Sequence, residues 1–318
     1  MPVVGFDMLG CYFFRELPMN RRFDADAGKG VAFGLGAYLM WGCFPLFFAL
    51  FEGVPAFEVL IHRVLWSCVF LMLLVSFLRR WSPVRQALAE PRRLGRVLGC
   101  AVLIAINWGL YIYAVESRQV LQASLGYFLT PLVNVGLGML VLRERMAPLQ
   151  LFALGLAGVA IALQLAILGE LPWISLTLAA TFGTYGLLRK QVALDGLSGL
   201  LVETLLLVPL ALLALAGLSL AGASHFLETR TQTTLLIASG VVTALPLLGF
   251  AGAARRLKLS TLGFLMYINP SLQFLIALLI FNEPLNSVQL ATFALIWFGL
   301  ALYSWSAWQQ RAPALDSR

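Results

Sequence analysis

Residues 122–150, QASLGYFLTPLVNVGLGMLVLRERMAPLQ, determine the expected fold because their pattern returns in residues 261–289, TLGFLMYINPSLQFLIALLIFNEPLNSVQ. Each copy has a proline with polar neighbours inside an apolar run, and a glutamate thirteen residues after the proline. A weaker match at an offset of 141 pairs Trp41 with Phe182 and His62 with Glu203. Such ordered matches predict an internal duplication. At the main offset of 139 the matched pairs are Thr130 with Asn269, Pro131 with Pro270, Asn134 with Gln273, Glu144 with Glu283, and Gln150 with Gln289.

The composition is that of a membrane protein. Of the 318 residues, 60% are hydrophobic and 12% are charged, against about 25% charged residues in a typical soluble domain. A helix needs about 20 residues to cross a bilayer, and apolar runs of this length recur along the chain. We therefore predict an all-α polytopic membrane protein with ten transmembrane helices, near residues 30–51, 57–78, 94–115, 121–142, 149–168, 172–189, 198–218, 233–254, 261–281 and 288–308.

The basic residues predict the orientation of these helices. Loops rich in lysine and arginine stay on the cytoplasmic side of a membrane. Of the 22 basic residues, 19 fall in the two tails and in alternate loops on one side, whereas Arg118 and Arg230 fall on the other side and Arg63 lies within a span. Both termini are therefore expected in the cytoplasm. The formal net charge of +7 then reflects topology, and we expect no nucleic-acid partner.

Five helices per copy is an odd number, so the second copy must cross the membrane in the opposite sense. The predicted organisation is a cytoplasmic tail (1–28), a first five-helix repeat (29–168), a second, inverted repeat (169–308) and a second cytoplasmic tail (309–318). Inverted repeats related by an axis in the membrane plane are a transporter architecture. The proline positions Pro131 and Pro270 are candidate hinges, because proline removes a backbone donor and frees a carbonyl.

Arg63 is the sharpest candidate for a binding residue, because a charge within a span is costly and usually faces a cavity or a partner. Snorkelling to the interface and structural pairing are the alternatives. His62 and Glu58 are spaced to share a helix face and to pair by a hydrogen bond. His62 and the acid Glu203, which matches it in the second repeat, are candidates for proton coupling or for interfacial pairing.

Polar and aromatic side chains within the spans are further candidates for a substrate path. Tyr127 and Asn134 lie on one face of the fourth span and Gln273 on the ninth, with helix-to-helix hydrogen bonds as the alternative. Asn107 and Trp108 combine an amide with an indole, which suits an amphipathic organic solute, although packing explains Trp108 equally well. Tyr267 adds aromatic surface that is also compatible with a core role.

Enzyme motifs are absent from the sequence. There is no P-loop, no HExxH and no GxSxG, and the four cysteines and two histidines have no metal-ligand spacing. We expect no catalytic residues, no cofactor and no metal. The expected partners are a small-molecule substrate and the lipid bilayer, and a homodimer is left open.

Several runs resemble the drug/metabolite transporter superfamily, in the branch that carries the EamA-type repeat, and are most similar to bacterial RarD permeases. The resemblance covers about residues 29–308. It implies ten helices in two inverted repeats, an inner-membrane location and movement, most often export, of small metabolites or drug-like molecules such as chloramphenicol. The matching runs are residues 62–67 (HRVLWS), 123–128 (ASLGYF), 131–134 (PLVN), 138–139 (GM) with 144–145 (ER), 187–190 (LLRK) and 259–264 (LSTLGF).

The resulting expectation is a secondary carrier for a small amphipathic metabolite, amino-acid-like or a carboxylate, that works by alternating access of two inverted halves. Arg63 would hold an anionic group by charge-assisted hydrogen bonds. A facilitative channel and a membrane-embedded sensor or interaction protein are the alternatives.

Overall fold

A computed structural model of the chain describes residues 19–142, 147–192, 194–254, 256–257 and 265–309. Glu144 and the basic residues around it, which the repeat pattern singled out, lie outside these ranges. The described residues form helices joined by short connections, and the helices are α1 (Met19–Gly42), α2 (Phe44–Phe48), α3 (Ala56–Phe77), α4 (Trp81–Ala89), α5 (Pro91–Glu116), α6 (Val120–Leu142), α7 (Pro148–Leu168), α8 (Trp173–Val192), α9 (Gly196–Leu220), α10 (Arg230–Ala254), α11 (Ile268–Leu279) and α12 (Ser287–Gln309).

Seven of the described helices are long and apolar enough to cross a membrane, namely α3, α5, α6, α7, α9, α10 and α12. The chain is therefore a multi-pass, all-helical membrane protein over the residues described. α1, α8 and α11 coincide in position with three further predicted spans. α11 is apolar, and its described part has 12 residues, which makes it shorter than the seven helices above. A count of ten crossings stays a prediction.

Two features of the helices differ from the predicted spans. The first span is divided, because α1 ends at Gly42 and the short helix α2, with Pro45 in its first turn, follows at once. The basic stretch around residues 79–93, predicted as a connection, contains the helix α4. Val84 and Ala87, spaced three residues apart, bury one face of α4, and the helix packs on α5 and α9.

Three of the helix pairs that the sequence pattern matches pack together, and in one of them, α3 with α9, the two helices run in opposite directions. Leu71 and Val75 near the end of α3 cluster with Leu197 and Leu200 at the beginning of α9. Toward the other end of the pair, Ile61 of α3 clusters with residues late in α9. α6 packs on α11 and α7 packs on α12. The core thus forms between the two halves of the sequence.

The proline positions differ from each other. Pro131 lies inside α6, which stays helical from residue 120 to residue 142, and Thr130 donates its hydroxyl to the carbonyl oxygen of Gly126 at 3.1 Å. Pro270 lies in the first turn of α11, directly after a turn at Tyr267. A hinge role for either proline stays a prediction.

Candidate functional site

Arg63 lies in the protein interior with 3% of its surface exposed. Position 63 belongs to the buried face of α3, and the guanidinium carbon lies 4.3 Å from the ring centre of Trp108, 5.2 Å from Phe48 and 5.7 Å from Phe44. An arginine stacked on aromatic faces gains cation–π energy, which increases when the charge is removed from water. The burial argues against a side chain that reaches the interface.

The guanidinium of Arg63 has unused hydrogen-bonding capacity. Its Nε and Nη1 atoms are buried and have no hydrogen-bond partner. The ion pairs formed among the described residues do not include Arg63. Aromatic faces alone leave the in-plane N–H groups of a guanidinium without hydrogen bonds. A buried charge without a partner costs several kcal/mol, about as much as the loss of one partner from a buried ion pair. An anionic ligand would complete this site.

Tyr111 belongs to the same site, although the sequence did not single it out. Its hydroxyl is buried and has no hydrogen-bond partner. The hydroxyls of Tyr111 and Tyr127 both lie within electrostatic range of Arg63. The Tyr111 ring is 6.0 Å from the Phe48 ring and 5.9 Å from the Tyr127 ring. The sequence feature that could have indicated Tyr111 is its position one turn after Trp108 on α5. We call these residues the Arg63 cluster: Phe44, Phe48, Arg63, Trp108, Tyr111 and Tyr127.

Asn107 and Tyr127 join three helices beside the cluster. The Asn107 amide nitrogen donates to the carbonyl oxygen of Leu178 at 3.1 Å and to the hydroxyl of Thr181 at 3.0 Å, and its oxygen accepts from the Tyr127 hydroxyl at 3.3 Å. Hydrogen bonds of this kind hold helices together in a bilayer. Asn107 therefore fixes α5 against α6 and α8. Asn107 and Trp108 were both candidates for substrate binding, and Trp108 is the one that contacts Arg63.

The predicted hydrogen-bonded pair of His62 and Glu58 is wrong. Glu58 accepts from the Ser224 hydroxyl at 2.9 Å, and its two carboxylate oxygens lie 2.7 Å from the backbone nitrogen and from Nδ1 of His225. His62 stacks on Phe226, with ring centres 4.6 Å apart, and neither of its ring nitrogens has a hydrogen-bond partner. The residues 224–226 between α9 and α10 thus cover this part of α3, which spacing along one helix could not indicate.

Glu203 is buried next to a cation. A carboxylate oxygen of Glu203 lies 3.3 Å from Nη1 of Arg189, and the other accepts from the Tyr185 hydroxyl at 3.2 Å. Arg189 reaches this site from the last turns of α8, at the boundary of the predicted span 172–189. A β-carbon at position 199 would overlap the Arg189 guanidinium, so the position of this side chain depends on Gly199. This pairing favours a structural role for Glu203.

The polar residues of α6 and α11 are unequally exposed. Asn134 is exposed beside Gly183 of α8, whereas Gln273, its match in the second repeat, is 1% exposed and donates to Asn269 at 2.7 Å. Tyr267 is half-buried and lies in hydrogen-bonding contact with Ser304 of α12. The structure therefore brings Arg63, Trp108 and Tyr127 together, and leaves His62, Glu203 and Tyr267 in other environments.

Comparison with known proteins identifies the family. The EamA-like transporter family model matches residues 28–166. The chain is 45% identical over 280 residues to an uncharacterized transporter of Vibrio cholerae, with 88% of this chain and 93% of the relative covered. It is 43% identical over 276 residues to the protein RarD of Escherichia coli, with 86% and 93% covered. The chain belongs to the RarD-type permeases of the drug/metabolite transporter superfamily.

Other comparisons extend this assignment. The RarD-type permeases similar to this chain include the chloramphenicol-sensitive protein RarD of Pseudomonas aeruginosa, which is 34% identical over 285 residues, with 88% of this chain and 95% of the relative covered. A solved crystal structure resembles this RarD-type permease with a TM-score of 0.56 at 17% identity, covering 87% of this chain and 97% of the other. That likeness concerns the fold alone.

Proposed function

We propose that this RarD-type permease is a secondary carrier of the inner membrane that exports a small amphipathic metabolite through alternating access of two inverted five-helix halves, with both termini in the cytoplasm. The proposed substrate is amino-acid-like, a carboxylate, or a drug such as chloramphenicol. The observation that carries the proposal is Arg63, a buried guanidinium with unpartnered N–H groups inside an aromatic cluster. A charge in this setting is expensive unless a ligand uses it.

The packing of the helices supports two inverted halves. In the sequence pattern α3 matches α9, α5 matches α10 and α1 matches α8. The contact of α3 with α10 has its counterpart in the contact of α9 with α5, and the contact of α1 with α10 has its counterpart in the contact of α8 with α5. Each of these pairs becomes the other when the sequence halves are exchanged. Because α3 and α9 run in opposite directions, this exchange fits an axis in the membrane plane, which is the relation found in inverted-repeat transporters.

The burial of α6 and α11 supports a carrier that is open on one side. Most residues of α6 from 120 to 132 are buried, whereas those described from 133 to 141 are exposed or half-buried. In α11 and just before it, residues 265–269 are half-buried and Gln273 is buried. With the orientation given by the basic residues, α6 is packed at the outer end and loose at the cytoplasmic end, and α11 is half-buried at its cytoplasmic end and buried near its middle. In the outward-open state, residues matched by the sequence pattern, such as Asn134 and Gln273, would exchange their exposed and buried environments.

The test is counterflow in proteoliposomes with labelled amino acids, carboxylates and chloramphenicol. We expect saturable exchange of one solute class by the wild type and its loss in Arg63→Ala, because the anionic group loses its charge-assisted partner. Arg230→Ala, at an exposed position that begins α10, is the control and keeps exchange. Exchange that is unchanged in Arg63→Ala would overturn the role of Arg63, and flux without saturation or counterflow would indicate a channel.

A further inference from the structure

We propose that Arg63 and Tyr111 together bind the carboxylate of an aromatic monocarboxylate that has no amino group. This inference rests on the proposed function and narrows its substrate class, since the sequence alone left amino acids, carboxylates and neutral drugs open.

The unsatisfied atoms of the Arg63 cluster define the chemistry of the ligand group. Arg63 contributes Nε and Nη1, both donors, and Tyr111 contributes a hydroxyl; these three buried atoms have no partner. A guanidinium has no acceptor. Nε–H and the Nη1–H groups lie on different edges of its plane, and each edge, Nε with Nη2 or Nη1 with Nη2, presents two N–H groups that match the two oxygens of a carboxylate. The group that satisfies Arg63 must therefore accept hydrogen bonds at two neighbouring atoms, and the Tyr111 hydroxyl can donate to one of them. A carboxylate meets these conditions.

The charge around the cluster disfavours a zwitterion. An amino acid would bring an ammonium group close to Arg63, and none of the ion pairs among the described residues places a carboxylate on Arg63. The buried acids Glu58 and Glu203 are engaged elsewhere. Glu58 is held by Ser224 and His225, and Glu203 is paired with Arg189. Aromatic faces can hold an ammonium group, but the guanidinium of Arg63 already lies over the Trp108 ring. A substrate with one negative charge and no positive charge fits this arrangement.

The aromatic residues of the cluster indicate the body of the substrate. Phe44, Phe48 and Tyr127 surround the donors with ring faces and edges. Small-molecule sites are mostly apolar, with a few polar groups that set orientation, and aromatic pairs gain energy beyond burial alone. An aromatic ring next to the carboxylate would use both features of the site.

The experiment compares two probes of nearly equal size. Phenylpyruvate and phenylalanine differ at the second carbon, which carries an oxo group in the first and an ammonium group in the second. Binding to the purified full-length protein in nanodiscs is measured by calorimetry. We expect phenylpyruvate to bind at least tenfold more tightly than phenylalanine. Equal binding, or tighter binding of phenylalanine, would overturn the proposed substrate class.

A second pair of probes tests the role of Tyr111. The wild type is expected to prefer 3-phenylpropionate to its neutral amide, 3-phenylpropanamide. In Tyr111→Phe, affinity for the propionate is expected to fall about ten- to 150-fold, with a much smaller change for the amide, because a hydrogen bond to a charged group is worth roughly 1.5–3 kcal/mol. Tyr113→Phe, at an exposed position of the same helix, is the control. A Tyr111→Phe protein that binds the propionate as the wild type does would refute the assignment.

Failure of this inference is distinguishable from failure of the proposed function. If counterflow is saturable and depends on Arg63 but is specific for amino acids or chloramphenicol, the carrier stands and the aromatic monocarboxylate is wrong. If no solute exchanges, the carrier fails, while the calorimetric comparison still decides whether Arg63 and Tyr111 bind a carboxylate.

Discussion

Arg63, which is buried, and Arg189, which is partly buried, are in different electrostatic situations. Arg63 has aromatic neighbours and no carboxylate partner among the described residues, whereas Arg189 is paired with Glu203. A paired buried charge stabilises mainly because loss of one partner leaves the other uncompensated. The two arginines should therefore respond differently to substitution, Arg63 in transport and Arg189 in stability.

Substitution Arg189→Gln is expected to lower the free energy of unfolding by about 3–5 kcal/mol, because it leaves the fully buried carboxylate of Glu203 without a counter-charge. Reversible unfolding in mixed micelles measures this change. Arg85→Gln, on the exposed side of α4, is the control and should change stability by less than about 0.5 kcal/mol. The double substitution Arg189→Leu with Glu203→Leu should recover most of the loss; a double variant as unstable as Arg189→Gln would contradict this explanation.

The residues of the candidate site were predictable in part. A charge inside an apolar run is visible in sequence, so Arg63 could be found, and so could the nearby aromatic residue Trp108. Tyr111 was missed because a tyrosine in a span is ordinary until its hydroxyl is known to lack a partner. The pairing of Glu58 was wrong because helical spacing names a neighbour within one turn, while His225 comes from 167 residues away.

At the level of single helices, Glu283 joins two parts of the bundle. It lies between α11 and α12, and its two carboxylate oxygens accept from the backbone nitrogens of Val120 and Leu121 at 2.7 and 2.8 Å. These are the first two residues of α6, whose N–H groups have no partner within the helix. The repeat pattern marked Glu283 as a matched position, and the structure gives it the role of a cap supplied by the other half of the chain.

Substitution Glu283→Ala is expected to destabilise the protein by about 1–2 kcal/mol, the range for a lost N-terminal cap. The measurement is unfolding in mixed micelles, with Glu228→Ala, an exposed loop position, as the control. Equal stability of the two variants would show that the cap contributes little.

The same carboxyl predicts a pH dependence. Burial raises the pKa of Glu283, although hydrogen bonds from Leu121 and Val120 oppose this effect. Because the folded pKa lies above the unfolded value of about 4.3, the wild type should lose stability relative to Glu283→Gln as the pH rises above that value and through the folded pKa. Unfolding measured between about pH 4 and pH 8 tests the sign. A wild type that gains stability relative to Glu283→Gln over this range would contradict it.

The contact between α3 and α10 depends on a glycine. A β-carbon at position 240 would overlap the backbone of Trp66 and Ser67, and the Ser67 hydroxyl donates to the Gly240 carbonyl oxygen at 3.3 Å. Gly240→Ala is therefore expected to cost about 1–3 kcal/mol, as overpacking of a tight contact does. Gly136→Ala, where nothing lies within 4 Å of the added carbon, is the control. A Gly240→Ala protein that unfolds like this control would show that the helices separate without cost.

The helices themselves were largely predictable, since long apolar runs between basic segments leave few alternatives in a bilayer. α4 was missed because its composition is that of a basic connection. Its helical signal is only the pair Val84 and Ala87 with Pro83 in the first turn. The division between α1 and α2 was also missed, because an apolar run of suitable length hides a break near Pro45.

For the whole molecule, the sequence pattern predicts an internal duplication, but it does not indicate how the matched helices pack. The offsets of 139 and 141 residues name matching helices, and five helices per copy implies opposite directions. Which matched helices touch depends on tertiary packing: α3 lies against α9, α6 against α11 and α7 against α12. The unequal burial of Asn134 and Gln273 likewise depends on tertiary packing, so no sequence pattern could have indicated it.

The central claim is that two inverted halves exchange their exposure, and cysteine labelling from the two faces tests it most directly. Asn134→Cys and Gln273→Cys are made separately in a chain without native cysteines, and a membrane-impermeant maleimide is applied to right-side-out and inside-out vesicles. We predict that Asn134→Cys reacts from the cytoplasmic face and Gln273→Cys from the outer face. Transported substrate should raise one rate while lowering the other. Reaction of both positions from the same face, or rates that do not respond to substrate, would contradict alternating access.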